Sequence, residues 1–132
     1  MARVLVVDDE PDISKSVKIG LQRRGFEVEA FEDPTDAVQH YQAGRYDMLI
    51  IDIRMPKMSG FDFVREIKKR DPGVPFAFLT AFDIHPDDFK KAFPGLEPSV
   101  ILRKPMLSED LARIVTVEIG RHHARLKAAG TP

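Results

Sequence analysis

Near its N-terminus the chain reads Arg3-Val4-Leu5-Val6-Val7-Asp8-Asp9-Glu10, a short apolar run that ends in acidic residues. Three further apolar runs end in polar residues, and they cover residues 48–51, 76–79 and 100–102. Short, continuous runs rich in branched side chains are typical of strands that are buried on both faces, as in a parallel sheet. A weaker alternating run at residues 26–31 predicts an edge strand with one face in water.

Segments with helical periodicity separate these strands. Apolar residues recur at Ile13, Val17 and Leu21, and Gly25 stands where a helix would stop. Four more helices are predicted, over residues 34–42, about 61–68, from 86 to a stop at Pro94-Gly95, and 108 to about 127. Regular alternation of strand and helix predicts a doubly wound α/β sandwich with five βα units and a parallel sheet of order 2-1-3-4-5.

The composition excludes several classes of function. The 132 residues include no cysteine, which removes disulfides, thiolate zinc sites and cysteine nucleophiles. A net charge of −1 argues against a bulk nucleic-acid surface, and no apolar run approaches the ~20 residues of a membrane span. The N-terminus lacks the apolar region and cleavage site of a signal peptide, so we expect one cytoplasmic domain.

The distinctive polar residues follow the predicted strands. They are Asp8, Asp9, Asp52, Thr80 and Lys104. In an open parallel sheet, ligands bind beyond the carboxyl ends of the strands, where the strand order reverses. Taken alone, an aspartate after a strand is usually a turn former, and a Lys-Pro pair is usually a surface turn. The conjunction of these residues, in this order, favours a functional site.

The chemistry of this set points to a phosphoryl group and a divalent cation. Three carboxylates close together disfavour one another's ionisation, and a bound cation removes that cost. Ligation by oxygen alone selects a hard ion, and an incomplete protein shell that leaves room for phosphate oxygens suits Mg²⁺. The ammonium of Lys104 and the hydroxyl of Thr80 would then surround a phosphoryl group carried on a carboxylate.

The sequence resembles the receiver domain of two-component response regulators, in its single-domain, chemotaxis-regulator-like form. The matching stretches are Val6-Val7-Asp8-Asp9-Glu10-Pro11, Asp52-Ile53-Arg54-Met55-Pro56-Lys57-Met58-Ser59-Gly60, Leu79-Thr80-Ala81 and Lys104-Pro105. The resemblance covers about residues 2–127 and implies a flavodoxin-like fold. We therefore expect a receiver domain over residues 1–127, a short tail over 128–132 and no output domain.

The resemblance also implies a role for each residue of the metal site. Asp52 would be the phosphoacceptor and would bind Mg²⁺ together with Asp9. Asp8 would act mainly through water, and the backbone carbonyl of Arg54 would be a further metal ligand.

The remaining roles concern the switch and the partners. Thr80 and Lys104 would bind phosphoryl oxygens, and the peptide bond before Pro105 is typically cis in the family. The donor would be a sensor histidine kinase or a histidine phosphotransfer protein, and the chain would not otherwise be an enzyme. The face of helix 4, strand 5 and helix 5 would change, and it would control a downstream protein partner rather than nucleic acid or membrane. We expect a monomer or a phosphorylation-dependent homodimer.

Several positions depart from the family pattern. Ile101 stands three residues before the lysine, where an aromatic residue usually reports the switch. Residues 83–99 lack the usual Gly-Ala-Asp-Asp-like stretch, which predicts an atypical output face. In the family, the positions of Arg54 and Phe82 flank the path of the water that attacks the phosphoryl group, and we predict that Arg54 or Phe82 slows hydrolysis by crowding that water.

Three other classes of function fit the sequence less well. A haloacid-dehalogenase-like phosphatase uses an Asp-x-Asp-x-Thr stretch after its first strand, which Asp8-Asp9-Glu10-Pro11 does not match, and it usually carries a cap insertion. A phosphorylation-independent adaptor on a receiver fold is disfavoured by the intact acids, Thr80 and Lys104, although Ile101 leaves it open. A nucleotide-binding module is a poor fit because no glycine-rich loop follows the first strand.

Overall fold

The computed structural model describes residues 2–81, 86–92, 94 and 101–128. Within these residues the chain forms five strands and five helices in strict alternation. In chain order they are β1 (Arg3–Val7), α1 (Pro11–Gln22), β2 (Glu27–Phe31), α2 (Pro34–His40), β3 (Met48–Ile51), α3 (Gly60–Arg70), β4 (Phe76–Thr80), α4 (Pro86–Ala92), β5 (Ile101–Arg103) and α5 (Ser108–Ala128). No helix in the described ranges is both long enough and apolar enough to cross a bilayer.

The sheet has the order β2-β1-β3-β4-β5 with every pair parallel, which confirms the predicted fold class. In this register Val7 lies beside Ile51 on one side and Phe31 on the other. The amide of Asp52 donates to the carbonyl oxygen of Val7 at 2.9 Å. The carboxyl ends of β1 and β3 are therefore adjacent, and their acidic residues meet at the point where the strand order reverses.

The sheet is buried on both faces by two apolar clusters. Alternate residues of a strand point to opposite sides, so Val4 and Val6 join one cluster while Leu5 and Val7 join the other. All four of these residues are at most 1% exposed. This two-sided burial explains why the strands appear in the sequence as unbroken apolar runs.

Several element boundaries differ from the prediction by one or two residues, and two of them have a visible cause. Helix α2 ends at His40 rather than at residue 42, because Tyr41 turns to an extended backbone and buries its ring. The Tyr41 hydroxyl donates to Oδ2 of Asp71 at 2.8 Å. Strand β4 includes Thr80 rather than stopping before it, since the amide of Lys104 donates to the Thr80 carbonyl oxygen at 2.7 Å.

Gly60 begins α3 and fixes the loop that follows β3. A Cβ at this position would collide with the carbonyl oxygen of Asp52 and would lie 2.9 Å from the Cα of Ile53. Both contacts are with backbone, which cannot rotate away. The loop from residue 52 to residue 60 therefore depends on glycine here.

Replacing Gly60 by alanine should lower the free energy of unfolding by about 1.5 kcal/mol, because the backbone beside Asp52 must shift. The matched control is Gly120→Ala on α5, where an added Cβ meets nothing within 4 Å. That variant should gain up to about 1 kcal/mol from helix propensity. Urea denaturation followed by circular dichroism measures both. Equal stabilities for the two variants would contradict the steric explanation.

Candidate phosphoacceptor site

Carboxylates converge at the carboxyl end of the sheet. Asp8 and Asp52 are 2% and 5% exposed, and Glu10 lies at the rim. One oxygen from each of these three residues lies within 4.8 Å of the other two. Oδ1 of Asp8 accepts a hydrogen bond from the Glu10 amide at 3.0 Å, which fixes the turn into α1. The adjacency of β1 and β3 thus produces a compact acidic cluster.

Lys104 supplies a cation to this cluster. Its Nζ lies 2.7 Å from Asp8 Oδ2, 3.5 Å from Glu10 Oε1 and 3.7 Å from Asp52 Oδ2. The side chain of Lys104 is only 8% exposed. Burial lowers the pKa of this ammonium, but the hydrogen bond to Asp8 and the surrounding negative charge outweigh burial, so its pKa is raised. The lysine is charged and lies closest to Asp8 rather than to Asp52.

The pKa of Asp52 is raised well above its ordinary value. Burial, followed by the negative charge of Asp8, raises its pKa to about 7, and Lys104 offsets part of that rise. A hydrogen bond with the half-buried side chain of Asp9 raises the pKa of Asp52 further. Asp52 is therefore an acid that is costly to ionise without a further positive charge.

The donor set fits a hard divalent cation. The clustered groups are carboxylate oxygens, and they lie close enough to share one ion. The three clustered residues are Asp8, Glu10 and Asp52, whereas the sequence singled out Asp8, Asp9 and Asp52. Glu10 belongs to the same acidic run, and its place directly before α1 was the signal that could have drawn attention to it.

Thr80, Arg54 and Pro105 lie at or just beyond the carboxyl ends of β4, β3 and β5. Thr80 is 1% exposed at the end of β4. The peptide bond between Lys104 and Pro105 is cis, as the resemblance implies. Arg54 is exposed in the loop after β3, and Phe82 lies outside the described residues.

Ile101 is the first residue of β5. It is half-buried, pairs with Phe78 of β4 and packs against the cluster that contains Phe78 and Phe89. The rings of Phe61 and Phe78 are 5.0 Å apart, and those of Phe78 and Phe89 are 6.1 Å apart. Aromatic side chains are thus present on this face of the sheet, but they come from α3, β4 and α4 rather than from β5.

A parallel sheet of order 2-1-3-4-5 with a helix after each strand defines the chain as a doubly wound α/β domain, and its buried acids and lysine lie where the strand order reverses. The family model "Response regulator receiver domain" matches residues 4–116. The chain belongs to this family.

Known relatives share both sequence and fold with the chain. The transcriptional regulatory protein TrcR of Mycobacterium tuberculosis is 33% identical over 109 residues, which cover 83% of this chain and 42% of TrcR. A receiver domain from Clostridium thermocellum is 32% identical with a TM-score of 0.79, covering 94% of this chain and 98% of that one. TrrA from Thermotoga maritima, solved in complex with Mg²⁺ and BeF, is 32% identical with a TM-score of 0.74, covering 89% and 98%. The chain thus spans about two-fifths of TrcR.

Proposed function

We propose that the chain is a Mg²⁺-dependent phosphoacceptor and switch, with Asp52 as the residue that carries the phosphoryl group. The observation that carries the proposal is the convergence of Asp8, Glu10 and Asp52 on the ammonium of Lys104 in a buried site. Asp9, Asp52 and the backbone carbonyl of Arg54 would bind the metal, with Asp8 acting through water. The solved complex of TrrA with Mg²⁺ and BeF supports a metal in this family site.

The proposed reaction is a transfer from a phosphohistidine of a sensor histidine kinase or a histidine phosphotransfer protein. A carboxylate oxygen of Asp52 forms a bond to phosphorus while the bond between phosphorus and the imidazole nitrogen breaks, and that nitrogen takes up a proton. Bound Mg²⁺ would neutralise negative charge on the phosphoryl oxygens. Lys104 would leave Asp8 and pair with a phosphoryl oxygen, while the hydroxyl of Thr80 would donate to another. The chain would catalyse only its own phosphorylation and dephosphorylation.

The proposed output is a change in the face formed by α4, β5 and α5. New phosphoryl charge would draw Thr80 and Lys104 inward, and that movement would bias the surface that a downstream protein partner reads. TrcR is a transcriptional regulatory protein, but we propose protein contact or onward phosphotransfer for this chain rather than direct nucleic-acid binding. The domain would work in the cytoplasm as a monomer or as a homodimer formed on phosphorylation.

Intact mass after incubation with Mg²⁺ and acetyl phosphate tests the proposal. Wild type should gain one phosphoryl group, and Asp52→Asn should gain none. Asp36→Asn, an exposed acid in the first turn of α2, is the control and should react like wild type. No adduct on wild type would favour the phosphorylation-independent adaptor, and repeated turnover of a phosphate ester would favour a phosphatase.

Arg54 gives a further prediction about the lifetime of the phosphoryl group. Its side chain is exposed in the loop two residues after Asp52, where it can crowd an attacking water. Arg54→Ala should speed loss of the phosphoryl group by about threefold to tenfold, which is roughly 1 kcal/mol of barrier. The decay of the adduct, followed by mass after removal of acetyl phosphate, measures this. An unchanged decay rate would show that Arg54 does not protect the aspartyl phosphate.

A further inference from the structure

Lys57 has an unusual backbone conformation in the loop after β3. Its φ is +70°, and it is the one described residue other than glycine with positive φ. The amide of Met58 donates to the carbonyl oxygen of Pro56 at 2.8 Å, so Lys57 is the central residue of a γ-turn. With positive φ at its centre this turn is the rare, strained form, and lysine has no local preference for it. Such strain persists only where the surrounding structure imposes it.

The side chain of Lys57 is held by a residue far away in sequence. Its Nζ lies 2.7 Å from Oδ2 of Asp33, between β2 and α2. Asp33 is itself fixed, since its Oδ1 accepts from the amide of Thr35 at 2.8 Å and from the Thr35 hydroxyl at 2.6 Å. The hydrogen bonds from Lys57 and Thr35 hold the pKa of Asp33 well below its usual range. The ammonium of Lys57 therefore lies against a carboxylate that is ionised and held in one orientation.

The loop is thus fixed at its base and at its tip. At the base, the amide of Gly60 donates to the carbonyl oxygen of Ile53 at 2.7 Å, and Ile53 is buried. At the tip, Lys57 is joined to Asp33 on the neighbouring loop. Between these two points lies Arg54, whose backbone carbonyl is a proposed metal ligand. A loop fixed at both points presents that carbonyl in one position, because the backbone between them has little freedom.

We infer that Asp33 and Lys57 are positioning residues for the phosphoacceptor site, holding the loop from residue 53 to residue 60 in the conformation that binds Mg²⁺ and receives the phosphoryl group. This inference rests on the proposed function. Neither residue touches the acidic cluster in the described contacts, so neither is catalytic. Because the Lys57 side chain is 62% exposed, its ion pair should add little to global stability. The effect is expected in metal affinity and reaction rate instead.

The test compares Lys57→Met, Asp33→Asn and the double variant with wild type. The control is Lys69→Met, which breaks a similar exposed pair with Glu66 on α3. Isothermal titration calorimetry gives the Mg²⁺ dissociation constant, and intact mass gives the initial rate with acetyl phosphate. Each single variant should weaken Mg²⁺ binding and slow the reaction by about fivefold, and the double variant should be no worse, since both remove one interaction. Lys57→Arg, which keeps the charge, should restore both values, and the urea midpoint should stay unchanged throughout.

The outcomes separate the two proposals. If wild type forms no phosphoryl adduct, the proposed function is wrong, while the Mg²⁺ dissociation constants still test the role of the pair. If wild type reacts and both single variants match it in rate and Mg²⁺ affinity, the positioning role is wrong. It is also wrong if the effects of the two substitutions multiply in the double variant, or if Lys69→Met produces the same loss.

Discussion

Replacing Lys104 by methionine should lower the free energy of unfolding of the metal-free protein by about 3 kcal/mol near pH 8, because it leaves buried carboxylates without their cation. The ammonium lies 2.7 Å from Asp8, and both side chains are at most 8% exposed. Methionine keeps most of the volume of the lysine stem, so lost packing adds little. The remaining loss of stability comes from repulsion between the carboxylates of Asp8 and Asp52, which no longer have a cation beside them.

Two conditions should reduce this loss, and both follow from its electrostatic origin. Near pH 5 Asp52 holds its proton in the folded state because its pKa is raised to about 7, so the cost should shrink. Saturating Mg²⁺ should also reduce it, since the metal would replace the missing charge. Urea denaturation at pH 5 and at pH 8, with a chelator or with Mg²⁺, measures both effects. The control is Lys69→Met on the surface of α3, which should change the free energy of unfolding by less than about 0.5 kcal/mol. A loss that is the same at both pH values would indicate packing rather than charge.

The fold could be predicted from the sequence because burial on both faces leaves a strong signal. The run at residues 48–51 is fully buried on both sides, and it appears in the sequence as four consecutive apolar residues. The boundary of α2 could not be predicted in the same way. It depends on the contact of Tyr41 with Asp71, thirty residues away along the chain, and no local pattern encodes such a pairing.

The sequence predicts those residues of the site that directly follow a strand. Asp8, Asp52 and Lys104 follow strands that the topology brings together, so their proximity follows from the sheet order. The participation of Glu10 depends on side-chain direction in the turn before α1, which spacing alone does not give. The pairing of Lys57 with Asp33 depends on a γ-turn that lysine does not favour, so it had no signal in the sequence.

Replacing Asp52 by asparagine should have the opposite effect on stability to Lys104→Met. It should raise the free energy of unfolding of the metal-free protein by about 2 kcal/mol near pH 8. The pKa of Asp52 rises from 3.8 to about 7 on folding, chiefly through burial and the charge of Asp8. A shift of that size sets an upper limit of roughly 4 kcal/mol. The net gain is smaller because asparagine no longer attracts the ammonium of Lys104, which lies 3.7 Å from Oδ2 of Asp52.

The pH dependence of that gain follows from proton binding. Between about pH 4 and pH 7 the folded state holds more protons on Asp52 than the unfolded chain does, so wild type loses stability as the pH rises through this window. Asparagine does not titrate, so its advantage should be small near pH 4, grow through the window and level off above pH 7. Asp36→Asn is the control, because its side chain is exposed and lies outside the acidic cluster. An Asp52→Asn protein that is less stable than wild type near pH 8 without metal would refute the argument.

Saturating Mg²⁺ should reduce the difference in stability between Asp52→Asn and wild type. Mg²⁺ that binds the folded state alone stabilises it by an amount that grows with the ratio of free metal to the dissociation constant, about 2.7 kcal/mol at a hundredfold excess. Wild type offers the carboxylate of Asp52 to that ion and asparagine does not, so saturating Mg²⁺ should remove most or all of the advantage of the variant. The free energy that an ionised Asp52 costs the empty site would be recovered when a cation binds beside it. Stability of the empty site alone would therefore favour an uncharged side chain at position 52.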